Sequence, residues 1–207
     1  MAKDCCAANF ERAVFRYDRV VALAKDFDCV KFSVSGDASV FTRFNLDSKK
    51  PAILLLDAEG GLIDKQQKCV DPGKYSRVVK NALELNRKRL EFRSKFLGQH
   101  EEMQKLIDAG HFGKALTAVE RALGKRDLLM GDVERRIIAT QGQLEKVGRE
   151  MFARAVELEA GKSYLDALEL FKTVKQEFAR LDDLERDAAQ RVRDLTRTLR
   201  DLGVTVR

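Results

Sequence analysis

KKPAILLLDAEGGLIDKQ, residues 49–66, decides how the first half of this 207-residue chain reads. Residues 52–56, AILLL, form a continuous apolar run, the pattern of a strand buried on both faces. DAEGG, residues 57–61, is tight-turn chemistry, and LIDKQQK after it is a more polar, edge-side strand. Working outward, residues 28–34, DCVKFSV, alternate apolar and polar and predict a half-buried strand. Phe10, Val14, Tyr17, Val20, Val21 and Ala24 give one apolar helical stripe ending near Lys25. DASVFTRF predicts a short helix with Asp37 as its N-cap. A further helix starts with Asp71 as N-cap and Pro72 at the first helical position. The order over the first 95 residues is therefore α-β-α-β-β-α.

Beyond residue 97 there is no proline, and the pattern is helical until the last five residues. It repeats itself. Phe112, Ala115, Leu116, Val119 and Ala122 return at an offset of 52 as Tyr164, Ala167, Leu168, Phe171 and Val174, while Leu123 returns as Lys175. Each set follows an Ala-Gly pair, Ala109-Gly110 and Ala160-Gly161, suited to capping a preceding helix. The layout is that of two helical hairpins with small residues where helices cross. Between them a long helix over about 131–159 carries Leu144, Val147, Met151, Phe152 and Ala155 on one face. Leu184, Ala188, Val192, Leu195, Leu199 and Leu202 step by 4 and 3, a heptad-like seam on a final helix. Packing of these helices on one another is the simplest use of the seams; a groove for a partner is the other. GKRDLLMGD, residues 124–132, reads as a mobile loop.

Composition narrows the function classes. The 39 Lys+Arg and 33 Asp+Glu leave a net charge of +6, spread among both signs. No apolar run reaches the roughly 18 to 20 residues of a membrane-spanning helix. MAKDCCAANFERA has no apolar core for a secretory signal, so the chain as written is expected to be cytoplasmic. Four cysteines are too few for a disulfide scaffold. A zinc site needs convergent Cys/His ligands, and His100 and His111 lie in the helical half, away from Cys5, Cys6 and Cys69, so no metal and no cofactor are expected. No glycine-rich phosphate loop is present. The basic stretches NRKRLEFRSK (86–95) and RVRDLTRTLR (191–200) each include a carboxylate, and they read as solvated faces rather than as a nucleic-acid surface.

FERAVFRYDRVVALAKDFDCVKFSV, then KKPAILLLDAEGGLIDKQ, then the helix from Asp71 resemble a thioredoxin-like domain over about residues 3–95. The resemblance implies a mixed sheet and a cis peptide at Lys50–Pro51, with Lys50 and Pro51 lining the place where a substrate protein docks. It also implies a central strand before the first helix, which here would precede Met1. A truncated start is expected, with the tail GVTVR, 203–207, as the other way to fill the slot. The family's C-x-x-C motif is missing. Cys5 and Cys6 are adjacent, and a vicinal disulfide strains the peptide between them. Cys5 or Cys6 at a helix N-terminus remains a candidate single nucleophile, with Cys69 as a resolving thiol. Cys29 begins the strand after the first helix, at the opposite end of the sheet, about 30 Å away along a helix of about 20 residues.

GHFGKAL and GKSYLDALELF resemble tetratricopeptide-type hairpins, although the 52-residue period is longer than that family's. The expected fold is thus an α/β thioredoxin-like domain, residues 1–97, followed by an all-α helical-hairpin repeat region, residues 98–207. The expected function is a non-catalytic interaction or scaffold module whose helical region binds a protein partner. The alternative is thiol–disulfide exchange through Cys5 or Cys6. Oligomeric state is left open.

Overall fold

The computed structural model describes residues 15–28, 38–47, 50, 52–67 and 71–204. The expected strand over 28–34, apart from Asp28, the Asp37 cap, the Lys50–Pro51 peptide and residues 205–207 of the tail 203–207 lie outside the described residues. So do Cys5, Cys6, Cys29 and Cys69. The elements are α1 (Asp18–Ala24), α2 (Ala38–Arg43), β1 (Ile53–Leu56), β2 (Leu62–Gln66), α3 (Pro72–Asp108) and α4 (Phe112–Leu123). A 3-10 turn (Arg126–Leu128), α5 (Gly131–Ala160), α6 (Tyr164–Glu177) and α7 (Asp182–Asp201) follow. The described chain is mostly helical with one two-stranded antiparallel sheet. It divides into two compact units, Met1–Glu91 and Phe92–Arg207.

In the first unit β1 and β2 form a hairpin, with Ile53 opposite Gln66, Leu55 opposite Asp64, and a register slip before Leu56. The core joins Val20 of α1, Leu55 of β1, and Tyr75, Val79 and Ala82 of α3. Their spacing on α3, together with Val78, is the 3-and-4 stripe of an amphipathic helix. Asp71 caps α3 as expected, its Oδ1 accepting from the Lys74 amide at 2.9 Å.

Two expectations are corrected here. The run AILLL is not buried on both faces: Leu55 is buried, but Leu56 is 36% exposed. Successive residues of a strand point to opposite faces, and the described core lies on the Leu55 side alone. The apolar stripe of α1 is Val20, Leu23 and Phe27, while Tyr17 and Val21 stay exposed. The helix begins at Asp18, so Tyr17 is its extended N-cap residue and lies outside the stripe.

α3 runs unbroken for 37 residues through Gly98. A mid-helix glycine costs about 1 kcal/mol against alanine. Downstream, Phe96, Met103 and Ile107 bury one face, each side chain contributing about 1.5 to 3 kcal/mol when fully buried, and that gain outweighs the glycine.

The second unit is built by packing α6 against α5 and α7, and α4 against α5 and α6. One cluster gathers Phe96, Ile107, Leu116, Val119, Val133, Leu144 and Phe178; another gathers Ala155, Leu168, Phe171, Leu195 and Leu199. The equivalence read from sequence holds in burial: Ala115, Leu116, Val119 and Ala122 are buried on α4, and Ala167, Leu168, Phe171 and Val174 on α6. The α7 seam is spent inside the unit, except for Leu202, which is 60% exposed beyond the helix end. In the segment 124–132, a 3-10 turn delivers Met130 into the buried interior.

The equivalence extends to the hairpin turns, with one shift. The His111 amide donates to Leu106 O at 2.8 Å and the Ser163 amide to Leu158 O at 2.9 Å, the same Schellman closure 52 residues apart. Gly110 takes the left-handed position in the first turn, with φ 77°. In the second, that position falls to Lys162, φ 63°, and not to the expected Gly161. The glycine stands one residue too early.

Two substitutions test this packing. Lys162→Gly removes the left-handed strain of a side-chain-bearing residue and is expected to stabilise the protein by up to about 1 kcal/mol in chemical denaturation. Gly148→Ala places a Cβ 2.7 Å from Leu184 Cδ2 and 2.9 Å from Phe178 Cδ1. Overpacking there is expected to destabilise by about 1 to 3 kcal/mol, read as a lowered midpoint.

Candidate functional site

Of the residues singled out from sequence as site candidates, Lys50 is within the described structure. It is exposed and pairs with Asp47 at 2.8 Å. Its surroundings are laced by side chains bonding to backbone. Gln67 Nε2 donates to Asp47 O at 3.0 Å, and its Oε1 accepts from the Asp47 amide at 3.1 Å. One amide thus satisfies both backbone groups of Asp47, as a neighbouring strand would. Lys65 Nζ donates to Phe44 O and Asn45 O, each at 3.0 Å, neutralising carbonyls at the C-terminal end of α2. The segment that leads into Pro51 is therefore joined to the segment that leads into Cys69, the clamps being Lys65 of β2 and Gln67, one residue past its end.

The hairpin turn holds the most buried charge among the described residues. Asp57 has a side chain only 4% exposed, and its Oδ2 accepts from Arg89 Nη1 of α3 at 3.0 Å. The Oδ1 accepts the amides of Glu59 at 3.0 Å and Gly61 at 2.8 Å. Two backbone donors and a guanidinium thus compensate the desolvation of one carboxylate. This constellation positions the turn on α3. Its groups are all engaged with one another, and the chemistry it performs is structural.

In the second unit a cleft of about 330 Å³ lies where the N-terminus of α4 meets the connection between α6 and α7. His111, Lys114 and Thr117 line one side, and Gln176, Glu177 and Arg180 the other. Glu177 Oε2 accepts from the Gly113 amide at 2.9 Å, capping α4 from a residue 64 positions away. Arg180 pairs with Glu120 and donates from Nε to Thr117 Oγ1 at 3.1 Å. His111 itself makes no side-chain cap on α4, so the long-range carboxylate takes over that role. Nothing local in the sequence announces the cleft, because the contacts between its two walls span 63 and 64 residues.

His100, weighed from sequence as a metal ligand, instead faces Thr140, with Nε2 3.2 Å from Oγ1. Thr140 Oγ1 already donates to Arg136 O at 2.9 Å, so it accepts here and the imidazole carries its proton on Nε2. Glu101, Glu102, Asp182 and Asp183 are exposed on helix surfaces. Among the described residues no group of three or more His, Cys, Asp or Glu converges as a metal site, and no helix is long and apolar enough to cross a membrane. No protein-family model, no curated protein and no solved structure matches this chain.

Asp57→Ala leaves Arg89 without its carboxylate and two turn amides without their acceptor. Because the Arg89 side chain keeps 15% exposure, the expected loss is about 2 to 3 kcal/mol rather than the about 3 to 5 of a fully buried pair. Chemical denaturation of the full chain reads it.

Proposed function

We propose that this protein is a non-catalytic interaction or scaffold module, in which the helical hairpins of the second unit bind a protein partner. In this reading the first unit is a degenerate thioredoxin-like domain and the second is tetratricopeptide-like. The observation that carries it is the 52-residue equivalence of α4 and α6, which holds from the buried positions to the hydrogen bonds of the preceding turns. In stacked hairpins the core is satisfied by neighbouring repeats, so the outer side chains are free to serve recognition. The cleft of His111, Lys114, Gln176 and Arg180 is one such surface. It is lined by polar side chains and formed by two successive hairpins, and Glu177 accepts from the Gly113 amide at its edge.

A second reading is thiol–disulfide exchange through Cys5 or Cys6, with Cys69 resolving and Lys50–Pro51 beside the substrate. The Gln67 clamp on Asp47 favours it, since it ties together the two segments leading to Pro51 and Cys69. Alkylation rate against pH, read by mass spectrometry on the full chain and on Cys5→Ser, Cys6→Ser and Cys69→Ser, separates the two. Under the scaffold reading every thiol titrates at or above about 8.5. A Cys5 or Cys6 thiol titrating well below that value replaces the scaffold reading with the redox one.

A further inference from the structure

The exposed face of α3 in the first unit carries a charge arrangement that its own stability does not explain. Helix N-termini favour carboxylates, because the free amides and the macrodipole leave partial positive charge there. The other long helices follow this rule: α5 has Asp132 and Glu134 in its first turn, and α7 has Asp182, Asp183 and Glu185. α3 has no acid in its first turn and places Lys74 there instead. Asp71 is the N-cap, so position 74 is where a capping box would have glutamate. Lysine at that position forgoes a local stabilising contact and sets a cation against the dipole.

The cations continue along the same face. Lys74, Arg77 and Lys80 are exposed, and among the described residues none of the three forms an ion pair. One turn further on, Lys88 pairs with Glu84 at 2.8 Å and Arg87 lies 3.9 Å from Glu91. Lys88 holds the Glu84 carboxyl below the ordinary carboxylate range by hydrogen bond and by charge, with Arg87 and Lys80 adding to the effect while slight desolvation opposes it. Over residues 74–88, a rise of about 21 Å, the helix therefore carries five cations against one carboxylate, Glu84.

We propose that the outward face of α3 from Lys74 to Lys88 is a docking surface for an acidic segment of a protein partner. Charge complementarity sets the sign of the occupant, and two features select a protein over a nucleic acid. Glu84 and Glu91 interrupt the row, which an unbroken phosphate backbone would meet with repulsion but discrete Asp and Glu side chains can straddle. The only aromatic in this stretch is Tyr75, which is 2% exposed and offers no base a stacking partner. The surface belongs to the first unit, so it stands independently of the cleft in the second.

The test uses fluorescence anisotropy of labelled poly-L-glutamate with the full chain at low salt. The triple variant Lys74→Glu, Arg77→Glu, Lys80→Glu is expected to weaken binding at least about tenfold, the sum of several exposed charge contacts reversed in sign. The control Lys146→Glu, Arg149→Glu, Arg154→Glu makes the same change in net charge on α5 and is expected to stay within about twofold of the parent. The variant is not expected to unfold: Lys74→Glu completes a capping box, and the new like-charge pairs, such as position 80 with Glu84, cost only about 0.2 to 0.5 kcal/mol each, which circular dichroism of the variant checks. Absence of poly-L-glutamate binding overturns the proposal, and so does an equal loss in the control. Tighter binding of a DNA duplex through the same three residues also overturns it, by assigning the face to phosphate.

Discussion

Phe178 is the residue on which the second unit turns. It ends α6, is fully buried, and stacks on Phe112 of the preceding hairpin with ring centroids 5.2 Å apart. Its ring also fills the space that Gly148 leaves on α5, where any Cβ would collide. One aromatic side chain therefore sets the distance between α4, α5 and α6, and close packing leaves it no alternative position. The polar contacts around it depend on that spacing. Glu177 can cap α4, and Arg180 can reach Glu120 and Thr117, because Phe178 holds the end of α6 against the start of α4.

The first unit rests on a different kind of constraint. Its described hydrophobic cluster is small, five buried residues with a few half-buried neighbours. Polar side chains bonded to backbone do much of the positioning: Asp57 closes the hairpin turn and ties it to Arg89, Lys65 covers the end of α2, and Gln67 completes the backbone of Asp47. Such bonds contribute modestly when made and cost more when one partner is left buried alone. The two units thus differ in what holds them. One is an apolar interior with repeated geometry, and the other is a short hairpin and helix pinned by directed hydrogen bonds.

This difference bears on function. Repeated hairpins satisfy their own core, which leaves their outer residues available for recognition. The surface of α3 shows the complementary sign of selection, a helix that carries cations where its own dipole and cap favour a carboxylate. A residue choice that runs against local stability is the kind of departure that functional surfaces display. The Asp57–Arg89 pair is the contrary case: a buried charge answered by three donors from within the fold.

Sequence by itself determined the periodic features. The offset of 52, the helix faces of the second unit, the Asp71 cap with Pro72 after it, and the hairpin around DAEGG are all local or periodic, and physics of neighbouring residues suffices to read them. Its reach ended where the decision lay with distant residues. Which of Leu55 and Leu56 is buried depends on the side from which Val20 and Tyr75 approach. The continuity of α3 through Gly98 depends on apolar partners in α4 and α5. The left-handed position falls on Lys162 rather than Gly161 because helix packing sets where α5 ends, and the local preference of glycine yields by one residue. The cleft of Lys114 and Arg180 exists only once two hairpins stack, since contacts between residues 63 and 64 positions apart leave no trace in the spacing of either.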